Sequence, residues 1–196
     1  MKGIIQIRVL CILFLFFVNF NLFAQEDSIS KPFSYSKVIK FDSTFAKNEI
    51  FNSAEIWISK YFNSSLFVVE VKDKEAGLLS GGGNFKFIPK GLASTCYQGI
   101  VEFHISIFVK EGRLKLELTN FFHDADNSIN SNVDCELGMI MMDENYRGAK
   151  TYWGTTKSLD QKNWADIHEK IKMLIAEINK TLIEEVNNKT KLNSDW

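Results

Sequence analysis

Proline is nearly missing from this chain: Pro32 and Pro89 are the only two in 196 residues. A Pro-rich linker or polyproline recognition segment is thereby excluded. Histidine is scarce too. His104, His123 and His168 are the only three, and none sits in an HExxH pair or a Cys/His spacing of the zinc type. Gly81-Gly82-Gly83 lacks a following Gly-Lys-Ser/Thr and runs on as Asn84-Phe85-Lys86-Phe87. That excludes a phosphate loop and reads as a bulge or a close approach of another backbone over a sheet. An excess of one charge is also lacking, since 23 Lys and Arg face 24 Asp and Glu. Such a balance does not steer a protein onto a phosphate backbone, and no nucleic-acid partner is expected. No internal repeat is visible.

Long apolar runs are confined to one place. Lys2 and Arg8 precede Val9 to Phe23 (VLCILFLFFVNFNLF), and the small Ala24 stands before Gln25. This is the three-part pattern of a secretory signal, predicting residues 1–24 as a cleaved leader. A membrane anchor would need roughly 20 apolar residues, whereas this run is shorter, carries Asn19 and Asn21, and leads straight into QEDSISK. Cys11 follows Arg8-Val9-Leu10 rather than the small residues of a lipoprotein box, so no lipid anchor is expected. The expected product is periplasmic or secreted, without an integral membrane segment. Cleavage removes two of the 23 basic residues and none of the 24 acidic ones, which leaves a net charge of −3.

Two cysteines survive that cleavage, Cys96 and Cys135. In an oxidising compartment they could form a disulfide. Two buried free thiols are the other outcome, because Cys is among the most buried residue types. Both stay open at this point.

The mature chain reads as one α+β domain over 33–187. Phe33 to Phe41 predicts a strand. Asn48 to Phe62 predicts a helix, with Ile50, Ala54, Trp57, Ile58 and Tyr61 on one stripe. Leu66 to Lys72 is β-branched, and Leu78 to Phe87 follows a turn. The strongest pattern spans Gly99 to Thr119, where Val101, Phe103, Ile105, Ile107, Val109, Leu114, Leu116 and Leu118 alternate with polar residues. A two-residue turn at Glu111-Gly112 pairs Val109 with Leu114, Ile107 with Leu116 and Ile105 with Leu118, putting every apolar residue on one face. Residues 123–157 look irregular, with weak potential at Leu137 to Met142. A closing helix over about 160–187 carries Trp164, Ile167, Ile171, Leu174, Ile175, Ile178, Leu182 and Val186 on one stripe. Residues 188–196 are expected to be a flexible tail. The predicted architecture is a single antiparallel sheet of four to five strands, ordered β-α-β-β-β-β-α, with both helices on one face.

FVVEVKDKEAG, the Gly-rich strand after it, and IVEFHISIFVKEGRLKLELTNFFH resemble the exported bacterial family known as domain of unknown function 4468. The resemblance covers Phe33 to Asp124. Its most specific parts are the turn Lys110-Glu111-Gly112-Arg113 and the segment Leu118-Thr119-Asn120-Phe121. The family's usual turn is Lys-Asp-Gly-Arg, so Glu111 departs from it and is a poorer type I′ residue. The leader's end, Leu22-Phe23-Ala24-Gln25, is similar as well. The resemblance implies a TATA-binding-protein-like fold and brings no catalytic, cofactor or binding residues.

Few residues suggest chemistry. Asp124, Asp126, Ser128, Asn130 and Asn132 alternate as calcium ligands do, yet Ile129 and Cys135 stand where an EF-hand loop wants Gly and a bidentate Glu. A solvated loop is the expected state, with no metal and no cofactor. Cys96 as a nucleophile would need a partner that spacing does not supply. The hairpin's other face is more suggestive: Ile100, Phe108 and Phe121 alternate onto it among Glu102, His104, Lys115 and Glu117. Those three apolar residues either form a binding face or lie beneath residues 125–157. The function expected is therefore non-enzymatic: an exported interaction module engaging an envelope protein or component. The alternatives are a carrier holding a small apolar ligand between the sheet and the closing helix, and an enzyme of unrecognised type.

Overall fold

The computed structural model describes residues 31–42, 44–62, 67–126, 135–143 and 156–194. Strands β1 (Tyr35–Lys40), β2 (Phe67–Asp73), β3 (Leu78–Phe87), β4 (Gly99–Lys110), β5 (Arg113–Ala125) and β6 (Gly138–Met139) form one antiparallel sheet in the order β1-β5-β4-β3-β2. β6 pairs with β5 beyond the end of β1. Helix α1 (Lys47–Tyr61) follows β1, a 3-10 helix (Leu92–Tyr97) precedes β4, and helix α2 (Lys157–Ser194) closes the chain.

The central hairpin takes the register demanded by its alternation. Val109 faces Leu114, Ile107 faces Leu116 and Ile105 faces Leu118, all six essentially inaccessible. Of the two turn residues only Gly112 has a positive φ, at 63°. Glu111 is thus spared the left-handed conformation that a type I′ turn would ask of it. Its carboxylate instead accepts the Lys47 N–H at 2.8 Å, at the start of α1. Glu49 accepts the Ala46 N–H at 3.1 Å, so the positive end of the helix is met by two acidic side chains.

Both helices lie on the same side of the sheet, as predicted. Ile50, Ala54, Trp57 and Ile58 of α1 and Trp164, Ile167, Ile171, Ile178, Leu182 and Val186 of α2 join the strand residues in one buried cluster. Trp57 Nε1 donates to Thr181 Oγ1 at 2.9 Å, tying the helices together. The Tyr61 hydroxyl is pushed up to about 12 by burial and by the neighbouring Glu177 carboxylate. Gly83 is small because the Phe103 ring lies over it: a Cβ there would come within 2.8 Å of that ring. A neighbouring side chain, rather than another backbone, occupies the space above this glycine.

Two expectations change. The closing helix runs past 187, since α2 continues to Ser194. No Gly or Pro occurs after Val186 to stop it. The larger change is in β5. Its pairing with β4 shifts by one residue between Glu102 and His104, and Asn120 sits opposite that shift with φ 56°. Asn is one of the few residues that tolerate this conformation, so β5 gains a bulge there. Beyond the bulge the alternation is inverted, and Phe121, His123 and Ala125 point into the core.

Candidate binding face

The side of the sheet that neither described helix covers is built from cross-strand rows whose members follow from the pairing. Lys40, Arg113 and Lys110 form the row nearest the β4–β5 turn. Val38, Lys115, Phe108 and Leu78 form the next, followed by Ser36, Glu117, Ser106 and Ser80. Further along stand Thr119, His104 and Gly82, then Phe122, Glu102 and Asn84, then Asp124, Ile100 and Lys86.

Of the three apolar residues expected on this face, Ile100 is there and 46 % exposed, and Phe108 is there and partly covered. Phe121 is not. It is fully buried on the opposite side, stacked on Phe103 at 5.4 Å and edge-on to Phe33 at 5.4 Å. The bulge at Asn120 carried it there, and strict alternation could not foresee that. Phe122 takes the outward place and pairs with Met139. Val38, 52 % exposed, is the other residue missed. Its signal was the adjacent pair Val38-Ile39, of which a strand can bury only one.

The face is charged in a segregated way. Lys115 lies over the Phe108 ring, with its Nζ 4.6 Å from the centroid, and pairs with Glu117 at 2.9 Å. A depression of about 340 Å³ is lined by Val38, Phe108, Lys110, Arg113, Leu114 and Lys115. Further along, His104 Nδ1 approaches Glu70 Oε2 to 3.5 Å across the Gly-rich strand.

The other two histidines are interior. His123 Nδ1 accepts the Leu137 N–H at 3.1 Å, and its Nε2 lies 3.0 Å from the Tyr97 carbonyl, where it must be the donor. Burial holds its pKa below the usual histidine value. His168 packs against Phe33 and Trp164. The Tyr97 hydroxyl donates to Asp160, and Asn163 Nδ2 donates to Ser94 Oγ at 3.2 Å, fastening the 3-10 helix to α2. Cys96 is joined to Cys135, with Cα atoms 5.6 Å apart. That bond removes the Cys96 thiol as a nucleophile and ties the 3-10 helix to the segment that leads into β6. These contacts shape the interior.

Among the described residues no cluster of three or more His, Cys, Asp or Glu side chains could hold a metal ion. Ser128, Asn130 and Asn132 of the calcium-like run lie outside the described residues. No described helix is long and apolar enough to cross a membrane. The space between sheet and α2, where a carried apolar ligand would sit, is occupied by Phe33, Phe103, Phe121, Trp164 and Ile171.

An antiparallel sheet with two described helices packed on one side defines an α+β domain of TATA-binding-protein-like fold. Residues 35–124 match the family described as "Domain of unknown function (DUF4468) with TBP-like fold", and the chain resembles that family. A TBP-like protein from Parabacteroides distasonis superposes with a TM-score of 0.51 at 16 % identity, over 76 % of this chain and 91 % of that one. A DUF4468 family protein from Bacteroides ovatus gives 0.47 at 13 % identity, over 77 % and 86 %. No curated protein matches the chain. At such identities the first of these likenesses speaks for the fold alone.

Proposed function

We propose that this protein is a non-enzymatic interaction module, exported to the cell envelope, that binds a protein or other envelope component through the open face of its sheet. One observation carries the reading: both helices cover the same side, while Val38, Ile100 and Met139 remain exposed on the other. Apolar side chains left on a sheet face among charged ones fit a recognition surface. The leader-like segment at residues 1–24 supports export, and the paired Cys96 and Cys135 suit an oxidising compartment. The buried positions of His123 and His168 and the bonded state of Cys96 support a role in binding rather than catalysis. The test is capture of envelope proteins by the purified domain and two variants. Ile100→Lys should abolish specific capture, and Met173→Lys, on the exposed side of α2, should not. Equal capture by all three proteins would sink the reading.

A further inference from the structure

The row nearest the β4–β5 turn places Lys40, Arg113 and Lys110 directly across from one another on three adjacent strands. Like charges in this arrangement repel and work against strand pairing. Among the described residues no carboxylate pairs with any of the three. The nearest candidate in sequence, Glu111, is turned away to the Lys47 N–H. Lys115, one row on, adds a fourth cation above the Phe108 ring, and Glu117 answers only that one. The second row also supplies apolar surface, with Val38 and Phe108 flanking Lys115 in the same depression. The third row, Ser36, Glu117 and Ser106, is hydroxylic and acidic.

Successive rows on one face of a sheet are two residues apart, roughly 6.8 Å. An extended peptide has the same period on its own side, so its residues i, i+2 and i+4 meet three successive rows. We propose that this end of the open face binds an extended peptide segment carrying an acidic residue, an apolar residue two positions on, and a basic residue two positions further. The acidic side chain sits among Lys40, Lys110 and Arg113. The apolar side chain sits on Val38 and Phe108, and the basic one reaches Glu117. The charge of the face separates this occupant from an anionic membrane surface. Glu70, Glu102 and Glu117 share the face, and a plane of lipid phosphates would meet them together with the cations. A narrow peptide meets one row at a time.

This assignment rests on the reading of the open face as a binding surface, and deepens it. The probe is the blocked peptide acetyl-Glu-Ser-Phe-Ser-Lys-amide, titrated into isotope-labelled protein and followed by amide chemical shifts. Saturable shifts should centre on the amides of Val38, Phe108, Arg113 and Lys115 and weaken with added salt. Replacing the peptide's Glu by Lys, or its Phe by Gly, should weaken binding about tenfold or more, the equivalent of roughly 1.4 kcal/mol. Lys110→Gln with Arg113→Gln in the protein should do the same. A thermal melt of the double variant, expected to match the parent's, checks that it remains folded. Shifts elsewhere, or undiminished binding by the double variant, overturn the assignment and leave the cations as surface solubilisers. Stronger binding to phosphatidylglycerol vesicles than to vesicles of neutral lipid, lost in the double variant, overturns it in favour of a lipid surface. If the peptide fails while Ile100→Lys still abolishes envelope capture, this assignment alone is lost. If Ile100→Lys changes nothing either, the reading of the whole face goes with it.

Discussion

At the scale of single residues, Asn120 decides more than any other side chain. Up to Leu118 the two-residue period assigns every face correctly, including the buried Leu114 and Leu116. Past Asn120 it assigns every face wrongly. A positive φ at a non-glycine residue is a tertiary outcome with no strong local signature, which is why Phe121 could not be placed from its neighbours. Phe121→Ala should therefore cost about 3–5 kcal/mol as a core truncation. Ile100→Ala, on the open face, should stay within about 0.5 kcal/mol. Denaturant unfolding of the two variants checks the inversion, and comparable losses would contradict it. His123 gives a second residue-scale expectation. Its folded pKa is depressed by burial, so the unfolded chain binds the proton more readily than the native one. The associated stability is intact above the ordinary histidine value of about 6.5 and is lost as pH falls below it. The drop in unfolding midpoint between about pH 7 and pH 5 should be smaller in His123→Gln than in the parent.

At the scale of elements, both helices and the central hairpin were legible because each carries a long, uninterrupted period, and the β3 span because a turn precedes it. β6 was not. Two residues make no pattern, and Gly138-Met139 is held by pairing to Phe122 and His123 and by the hydrogen bond from Ile140 to Phe121. The binding face was legible in part: Ile100 and Phe108 were named, whereas the row Lys40, Arg113 and Lys110 appears only once β1 is known to lie beside β5. That neighbour relation joins distant segments, and no spacing within either strand announces it. The Cys96–Cys135 bond acts at this same scale, spanning a separation of 39 residues. Closing such a loop should contribute about 4 kcal/mol in the chain-entropy model. Thiol counting under denaturing, non-reducing conditions should find no free thiol in the mature protein. Adding a reductant should lower the melting temperature, and an unchanged melt would remove the bond from any role in stability.

At the scale of the whole molecule, the proposed export has a direct check. Intact mass of the protein recovered from the envelope should correspond to a chain beginning at Gln25, and a mass that retains Val9 to Phe23 would contradict it. The sheet order bears on the same journey. Among the described residues β1 pairs only with β5, with Tyr35 set against Leu118, so the first described strand is the one that waits longest for a neighbour. A ribosome must add more than seventy residues after Lys40 before that pairing can begin at Arg113, several seconds of synthesis at about 5–20 residues per second. α2 covers the sheet only after that. Until then only α1, of the two helices, is available to cover the apolar sides of β4 and β5. A polypeptide that must be threaded through a narrow pore as an unfolded strand gains from this delay. For the proposed export, the winding order of the sheet acts as a timer that holds back full closure until α2 has been made.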